Sequence, residues 1–433
     1  MDSMPKYESY KDSGVEWLSK LPTEWDLVAN KHIFNLKKNL VGKRSSEYEL
    51  LSLTLKGIIK RDMENPEGKF PAEFDTYQEV KVDDFVFCLF DVEETPRTVG
   101  LSSYDGMITG AYTVFDVKPE YDPRFLYYFY LNLDASKRLK PLYKGLRNTI
   151  PKDAFLSFKT FAPTRYEQTA IANFLDRKTV QIDEAIAIKE KQIARLKERN
   201  QIIIQQAVTQ GLDPNVPMKD SGVDWIGRVP SSWSIRKLKH LVSFLGGGTP
   251  SKENSAYWNG NILWVSPKDM KTELIVNSID SITEVALKKS SVKLIPENSI
   301  LIVVRGMILA KKIPVSIAGK VLTINQDMKG MVVDLRQCYP AYLRLLLDGL
   351  HEELSTLLEE SGHGTKTLPT EKLGGFYLPL PPQEEQHQIL KFVEAESIKI
   401  TQACRLQEEQ IEKLKEYKTT LINSAVTGKI KVA

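Results

Sequence analysis

The chain contains little of the residue chemistry that metal sites, disulfides and membrane spans require. Its 433 residues include three cysteines and five histidines. Cys88, Cys338 and Cys404 lie too far apart in sequence to form a metal or redox pair. No apolar run approaches the roughly 20 residues of a membrane helix, and the N-terminus lacks the pattern of a secretory signal. The sequence therefore predicts a cytoplasmic, metal-free protein, with two or more domains at this length.

The motifs of common catalytic sites are also missing. No GxGxxG follows a predicted strand, and no DPPY-like or NPPY-like tetrapeptide of an adenine methyltransferase is present. The glycine-rich stretches GGGTP (246–250) and GHGTKT (362–367) lack the Gly-Lys-Ser/Thr order of a phosphate loop. Glu64, Glu67 and Lys69 could imitate a nuclease site, although a polar loop is the favoured interpretation. We therefore expect a protein without catalytic activity.

Two segments of the chain occur twice. KDSGVEWLSKLPTEW at 11–25 and KDSGVDWIGRVPSSW at 219–233 share eight of fifteen residues. Residues 163–212 and 381–430 form a second matching pair, in which the matching residues lie 218 positions apart. Such matches indicate a tandem duplication, and repeats of this kind determine the whole architecture.

The blocks between these repeated segments differ in sequence but share one order of predicted elements. Each block has short runs rich in β-branched and aromatic residues, followed by a helix that begins at a proline. The predicted strands are FVFCLF (85–90), YTVFDV (112–117), SILIVV (299–304) and MVVDL (331–335), and the predicted helices cover 123–132 and 340–350.

Two long segments, 164–209 and 383–427, contain no proline or glycine. Gly211 and Gly428 follow them as candidate helix ends, and Thr164 is a candidate N-cap. Apolar residues recur every three or four positions, and polar interruptions fall at the same steps in both segments. This pattern predicts two helices, each on the order of 65 Å long, that pack on each other. Two independent surface helices are the alternative.

Basic and acidic residues are unevenly distributed. Residues 37–61 carry seven Lys or Arg and two acids, and residues 305–320 carry four cations and no acid. Residues 62–94 hold eleven acids and two lysines. The basic segments favour a polyanionic partner, while a solvated surface remains the alternative for any single run.

The repeated segments 11–25 and 219–233 resemble those that open each half of the specificity subunit of type I restriction–modification enzymes. GGGTPSKENSAYWNGNILWVSPKDM (246–270) is similar to the start of that family's target recognition domains, and GHGTKTLPTEKLGGFYLPLPPQEEQ (362–386) to their end. The resemblance covers essentially the whole chain. Residues 26–60 lack the GTP…YW…W run, which implies a different recognition-domain subtype and a different half-site.

The resemblance implies an α+β fold with a pseudo-twofold internal repeat, in which two α/β target recognition domains are separated by an antiparallel coiled coil. Each domain would recognise one half of a split double-stranded DNA target. Two modification subunits that bind S-adenosylmethionine, and restriction subunits with motor and nuclease activity, would join the complex. The chain itself would hold no cofactor. The expected segments are a frame segment (1–25), recognition domain 1 (26–163), a central helix (164–210), a second frame segment (211–233), recognition domain 2 (234–381) and a C-terminal helix (382–433).

Candidate contact residues follow from side-chain chemistry, because Arg, Lys, Asn and Gln can bond two edges of a base. The DNA-binding candidates in the first block are Lys37, Lys43, Arg44, Lys56, Lys60, Arg61, Arg147 and Asn148. Those in the second block are Thr249, Lys252, Trp258, Lys268, Lys271, Arg305, Gln326 and Lys366. The candidates for partner binding are Glu167, Gln168, Glu385 and Gln386, for which capping and solubility are the alternative roles.

Two other functions stay open at this stage. The chain could be a self-sufficient DNA methyltransferase or nuclease, against which the missing cofactor loops argue. It could also be a coiled-coil scaffold that binds proteins and no DNA.

Overall fold

The structure is a computed structural model that describes residues 4–62, 73–360 and 364–432. The nuclease-like candidates Glu64, Glu67 and Lys69, and the first two residues of GHGTKT, lie outside these ranges. The chain divides into two compact units, one of residues 1–190 with 408–433 and one of residues 191–407.

The first unit is built from short antiparallel strands and two helices, and it contains parts of both long helices. Its strands are Tyr10–Val15 (β1), Leu18–Pro22 (β2), Asp26–Ala29 (β3), Phe34–Lys37 (β4), Leu51–Thr54 (β5), Gly57–Lys60 (β6), Gln78–Val80 (β7), Phe85–Phe87 (β8), Val99–Leu101 (β9), Gly106–Ile108 (β10), Thr113–Val117 (β11) and Lys159–Ala162 (β12). Its helices are Pro123–Ala135 (α1), Lys152–Ser157 (α2) and the first part of Arg165–Gln210 (α3).

The second unit repeats this plan with more strands. They are Met218–Asp220 (β13), Arg228–Pro230 (β14), Ser234–Lys237 (β15), Val242–Gly246 (β16), Trp258–Val265 (β17), Leu274–Ile275 (β18), Asp280–Ile282 (β19), Leu294–Ile295 (β20), Ile300–Val303 (β21), Val315–Ala318 (β22), Leu322–Ile324 (β23), Met328–Val333 (β24), Glu359–Glu360 (β25), Lys366–Thr367 (β26) and Tyr377–Leu380 (β27). Its helices are Glu284–Lys289 (α4), Pro340–Gly349 (α5), His351–Ser355 (α6), Thr370–Gly375 (α7) and part of Gln383–Val426 (α8).

The main sheets of the two units have the same strand order. In the first unit the order is β4-β11-β8-β9, and in the second it is β16-β24-β21-β22-β18. A two-stranded pair, β3 with β12 or β15 with β27, accompanies each sheet. The second unit adds a separate four-stranded sheet, β19-β17-β23-β20, and the first unit has hairpins instead. The shared order shows that the duplication holds at the level of topology.

The central strands and helices of the cores match the sequence expectations. Every residue of β8 and β21 is buried, as the continuous apolar runs predict for strands that are covered on both faces. The helices α1 and α5 both begin at a proline, whose fixed backbone geometry suits the first helical position. The four predicted strands and two predicted short helices are therefore confirmed, with shifts of up to a few residues at their ends.

The two long helices are also confirmed, and in each unit by itself they contact one another. In the first unit Lys418 donates to Asp183 over 2.7 Å, near the start of α3 and the end of α8. In the second unit the Ser397 hydroxyl bonds the Asn200 side chain over 3.0 Å. Ser397 and Asn200 are both polar, so this contact brings together a polar residue from each helix. The Thr164 hydroxyl accepts from the Glu167 amide, as the predicted N-cap requires.

Candidate nucleic-acid interface

In each main sheet, the strand ends on one side lie away from the start of the short helix. We call this side of the sheet, formed by strand ends, the distal edge. In the second unit β21 ends and β24 begins there, since Val303 pairs with Met328. In the first unit β8 ends and β11 begins there, since Phe87 pairs with Thr113. The opposite edge leads into α5 or α1. Loops at a distal edge are therefore free to differ between the units without disturbing the helices.

In the second unit, the distal edge carries a cleft of about 480 Å³. Three of the predicted DNA-binding residues line it, namely Lys252, Trp258 and Lys268. Asp280 and Asp327 line the cleft as well, so it presents both donors and acceptors. Such a mixture suits DNA, because lysines can pair with phosphates and carboxylates can accept from cytosine.

Four further candidates of the second unit lie next to this cleft. The Arg305 amide donates to the Asp327 carbonyl over 3.2 Å, and the Gly306 amide donates to the Lys366 carbonyl over 3.0 Å. The Thr249 hydroxyl donates to the Gln326 side chain, one residue before Asp327. The structure thus brings together Thr249, Lys252, Trp258, Lys268, Arg305, Gln326 and Lys366, which are spread over more than a hundred residues of sequence.

Hydrogen bonds to the Asp269 side chain hold the loop that carries Lys268 and the exposed Lys271. The Asp269 carboxylate accepts from the Ser266 amide, the Ser266 hydroxyl and the Ile279 amide, at 2.8, 3.0 and 2.8 Å. Trp258 is fixed in a similar way, since its indole donates to the Ser251 carbonyl and its ring lies edge-on to Trp264. Local basicity does not mark Asp269, Asp280 or Asp327, so the sequence carries no signal for these three carboxylates.

In the first unit the candidates are distributed over three places. Lys43 and Arg44 lie on a 3-10 helix at Gly42–Glu47, where the Arg44 guanidinium lies over the Tyr48 ring. Lys56, Lys60 and Arg61 belong to the β5–β6 hairpin and the residue after it.

Arg147 and Asn148 form the third place, a turn whose side chains bond Asp91 and Glu94. The structure therefore collects the second unit's candidates around one cleft and leaves the first unit's candidates separate.

Lys37 does not fit the predicted role. Its side chain is only 18% exposed, and its ammonium group lies 2.6 Å from an Asp84 carboxylate oxygen. Burial raises the pKa of Asp84, and the hydrogen bond from Lys37 works in the opposite direction. A charge pair of this kind is costly to separate, so Lys37 stabilises the unit and is removed from the DNA-binding candidates.

The predicted partner contacts at the start of the long helices are corrected by burial. Gln168 is 1% exposed and Gln386 is 0% exposed. The side-chain oxygen of Gln168 accepts from the Asp122 backbone N–H over 2.8 Å, and the side-chain oxygen of Gln386 accepts from the Tyr339 backbone N–H over 3.0 Å. Each glutamine therefore joins a long helix to the residue that precedes a short helix, α1 or α5, and neither can contact a partner.

Glu167 and Glu385 have a matching structural role in the two units. Glu167 accepts from the Trp25 indole over 3.2 Å and from the Tyr7 hydroxyl. Glu385 accepts from the Trp233 indole over 2.9 Å. The tryptophans are the last residues of the repeated segments 11–25 and 219–233, which we call the repeated signatures. Each signature is attached to a long helix through this bond. The sequence signal was available, because both residue pairs repeat.

The described residues also bear on metal sites and membrane spans. Among residues 4–62, 73–360 and 364–432, no three His, Cys, Asp or Glu side chains are placed to hold a metal ion. Within the same ranges, no helix has the length and apolar character needed to cross a membrane.

Comparison with known proteins relates part of the chain to a known family. Residues 230–415 match the family model for the type I restriction modification DNA specificity domain. The match covers less than half of the chain, and this part is similar to that domain. A curated relative, the type I restriction enzyme EcoR124I/EcoR124II specificity subunit of Escherichia coli, is 34% identical over 183 residues. That match covers 42% of this chain and 43% of the relative, so the chain matches less than half of the relative's length.

Solved structures of the type I restriction–modification system have the same fold over nearly the whole chain. One chain, from work on complex assembly and conformational transition of the type I R-M system, covers 95% of this chain and 100% of its own length, with a TM-score of 0.68. The HsdS subunit from Thermoanaerobacter tengcongensis covers 95% of this chain and 98% of its own length, with a TM-score of 0.54. Both are 14% identical to this chain, so the likeness is one of fold.

Proposed function

We propose that this chain is a DNA specificity subunit of a type I restriction–modification system, and that it recognises a bipartite DNA target with one half-site for each unit. The observation that carries the proposal is the cleft of the second unit, where Lys252, Lys268 and Trp258 converge beside Arg305 and Lys366. Phosphate contacts would supply salt-dependent affinity, and base-edge contacts at the distal edges would supply specificity. The divergent distal edges on a common sheet order support two different half-sites.

The two long helices would form an antiparallel coiled coil that sets the spacing between the half-sites. The helix contacts inside each unit support this role, because Lys418 meets Asp183 in one unit and Ser397 meets Asn200 in the other. Polar pairs in a coiled-coil interface fix the alignment of the helices at some cost in stability. A fixed alignment is what a spacing element needs.

We infer that two modification subunits, which would carry S-adenosylmethionine, bind the exposed sides of these helices. Val180 and Ile188 on α3 correspond to Ile398 and Leu406 on α8 at the repeat spacing of 218. All four are large apolar residues between 51% and 59% exposed. Equivalent apolar positions on two duplicated helices suit two identical partners, and restriction subunits would then join the complex. These residues replace the buried glutamines as candidate partner contacts.

Placing an aspartate at one of these positions is expected to remove one partner. Leu406→Asp should change the stoichiometry from two modification subunits per chain to one, because a charge at an apolar contact is costly to desolvate. Ile188→Asp together with Leu406→Asp should remove both. Native mass spectrometry of the co-expressed complex gives the count. Thr419→Asp is the matched control, because Thr419 is exposed and lies about 20 Å along α8 from Leu406. Two bound subunits in the double variant would exclude this surface.

The chain would act without catalytic activity of its own in the prokaryotic cytoplasm. Sequencing of N6-methyladenine in the host genome, with and without this gene, tests the whole proposal. We expect methylation to disappear at one split motif when the gene is removed, and to return when it is restored. Methylation by the purified chain alone would instead favour the self-sufficient enzyme. Failure to bind any duplex with the modification subunit present would favour the protein scaffold.

A further inference from the structure

The Arg147 guanidinium is held in one orientation on the surface of the first unit. Its Nε donates to Asp91 Oδ1 over 3.0 Å, and its Nη2 donates to Asp91 Oδ2. The guanidinium lies over the Phe90 ring, with 5.4 Å from Cζ to the ring centroid. The hydrogen bond that Arg147 donates to Asp91 raises the pKa of Arg147 and lowers the pKa of Asp91. Two side chains thus fix both the plane and the direction of the guanidinium.

This arrangement leaves the outer end of the guanidinium open. Arginine has five N–H groups, and the side-on pairing with Asp91 uses one on Nε and one on Nη2. The remaining donors on Nη1 and Nη2 point away from the carboxylate and have no partner within the described part of the chain. The Arg147 side chain is 69% exposed. A ligand can therefore reach two parallel N–H donors without breaking the pair.

The ion pair is not needed to hold its two loops together. The Asp91 amide donates to the Arg147 carbonyl over 2.8 Å, and the Val92 amide donates to the Asn148 carbonyl. The turn itself is closed by two backbone hydrogen bonds between Lys144 and Thr149, at 2.8 and 3.0 Å. Because the backbone already joins these loops, the side-chain geometry of Arg147 is available for another role.

The turn occupies the position in the first unit that the cleft edge occupies in the second. The Ile150 amide donates to the Leu89 carbonyl after β8, and the Leu368 amide donates to the Val304 carbonyl after β21, both over 2.8 Å. Ile150 and Leu368 are separated by the repeat spacing of 218. Arg147 therefore lies at the distal edge of the first unit's sheet. This position corresponds to the one that Arg305 and Lys366 occupy beside the cleft in the second unit.

We propose that Arg147 recognises a guanine in the half-site of the first unit, with Asp91 and Phe90 as positioning residues. The proposal rests on the proposed function. The two free donors match guanine O6 and N7, the pair of acceptors that arginine bonds in the major groove. A phosphate contact would not need a fixed plane, since phosphate contacts position the protein and carry no sequence information. An arginine that is already oriented loses less entropy on binding.

The experiment measures binding of the full chain, with its modification subunit, to duplexes that carry the methylated motif found for the wild type. Each guanine of the first unit's half-site is replaced in turn by 7-deazaguanine, which lacks the N7 acceptor. We expect one such replacement to weaken wild-type binding about tenfold and to leave Arg147→Ala unaffected, because the contact is already absent. Arg147→Lys should lose most of the discrimination, since a lysine cannot reproduce the fork.

Two further variants separate positioning from folding. Asp91→Asn should reduce discrimination at the same guanine about three- to tenfold while the thermal midpoint changes by less than about 2 °C. Arg336→Ala is the matched control. Arg336 is paired side-on with Asp334 at 3.0 and 3.1 Å and is 89% exposed, but it lies at the opposite edge of the second unit's sheet. Its removal should leave both half-sites unchanged.

The outcomes separate this inference from the proposed function. If the wild type methylates no split motif, the proposed function fails. If the motif exists and Arg147→Ala retains sensitivity to 7-deazaguanine at every position, the inference alone is wrong. Uniform weakening on all duplexes, with a shallower salt dependence, would make Arg147 a phosphate contact and also overturn it. A loss of binding that follows the thermal midpoint in both Arg147→Ala and Asp91→Asn would make the pair a structural link.

Discussion

Trp233→Ala is expected to lower the free energy of unfolding of the second unit by about 3–5 kcal/mol. Trp233 is 1% exposed and belongs to the large core of that unit. Its removal would leave a cavity that the surrounding strands can fill only in part. It would also remove the indole donor from Glu385 at the start of α8, and a partly buried acceptor without its donor adds to the cost.

Two companion variants identify which part of the interaction matters. Glu385→Gln retains an oxygen that can accept from the indole, so it should cost about 1 kcal/mol or less. Trp258→Ala removes the same side chain from the partly open cleft and should cost about 1–2 kcal/mol. Urea denaturation followed by far-ultraviolet circular dichroism measures all three. A loss for Trp233→Ala no greater than that for Trp258→Ala would contradict the structural role of the repeated signature.

Replacing both Lys252 and Lys268 by alanine is expected to weaken DNA binding about 30-fold at 0.15 M salt. Both ammonium groups belong to the cleft of the second unit, and both side chains are exposed. Two lost phosphate contacts should make the slope of log affinity against log salt shallower by about 1.8. The weakening should be similar on cognate and unrelated duplexes, because phosphate contacts carry no sequence information.

A matched lysine separates the cleft from the general charge of the protein. Lys320 is exposed in the turn between β22 and β23, at the opposite edge of the same sheet, since Ile300 pairs with Ile317. Lys320→Ala removes one charge without touching the cleft and should change neither affinity nor salt slope appreciably. Fluorescence anisotropy at several salt concentrations gives both quantities. An unchanged slope in the double variant would remove Lys252 and Lys268 from the DNA contacts.

The architecture could be predicted from the sequence because its signals are local and repeated. Runs such as FVF in β8 and ILIV in β21 are continuous and apolar, which suits strands buried on both faces. The long helices follow from 45-residue stretches without proline or glycine. On α3 the buried residues Leu175 and Ile182 lie seven positions apart, as an apolar recurrence every three or four positions predicts.

The functional surface could be predicted only in part, because it depends on contacts between distant segments. Lys37 is basic in a basic run, yet its partner Asp84 is 47 residues away. Gln168 and Gln386 are polar residues at helix starts, where exposure is the usual outcome. Their burial follows from backbone N–H groups that need an acceptor. The orientation of Arg147 depends in the same way on Asp91, 56 residues earlier.

Exchange of a single recognition block tests the central claim, that each unit recognises its own half-site. Residues 234–381 would be replaced by the corresponding block of a family member whose half-sites are known, and the methylated motif of the host genome would be sequenced. For a chimera with a cooperative thermal transition, we predict that one half of the motif changes to the donor's half-site while the other half stays. A change in both halves, or an unchanged motif, would contradict the account.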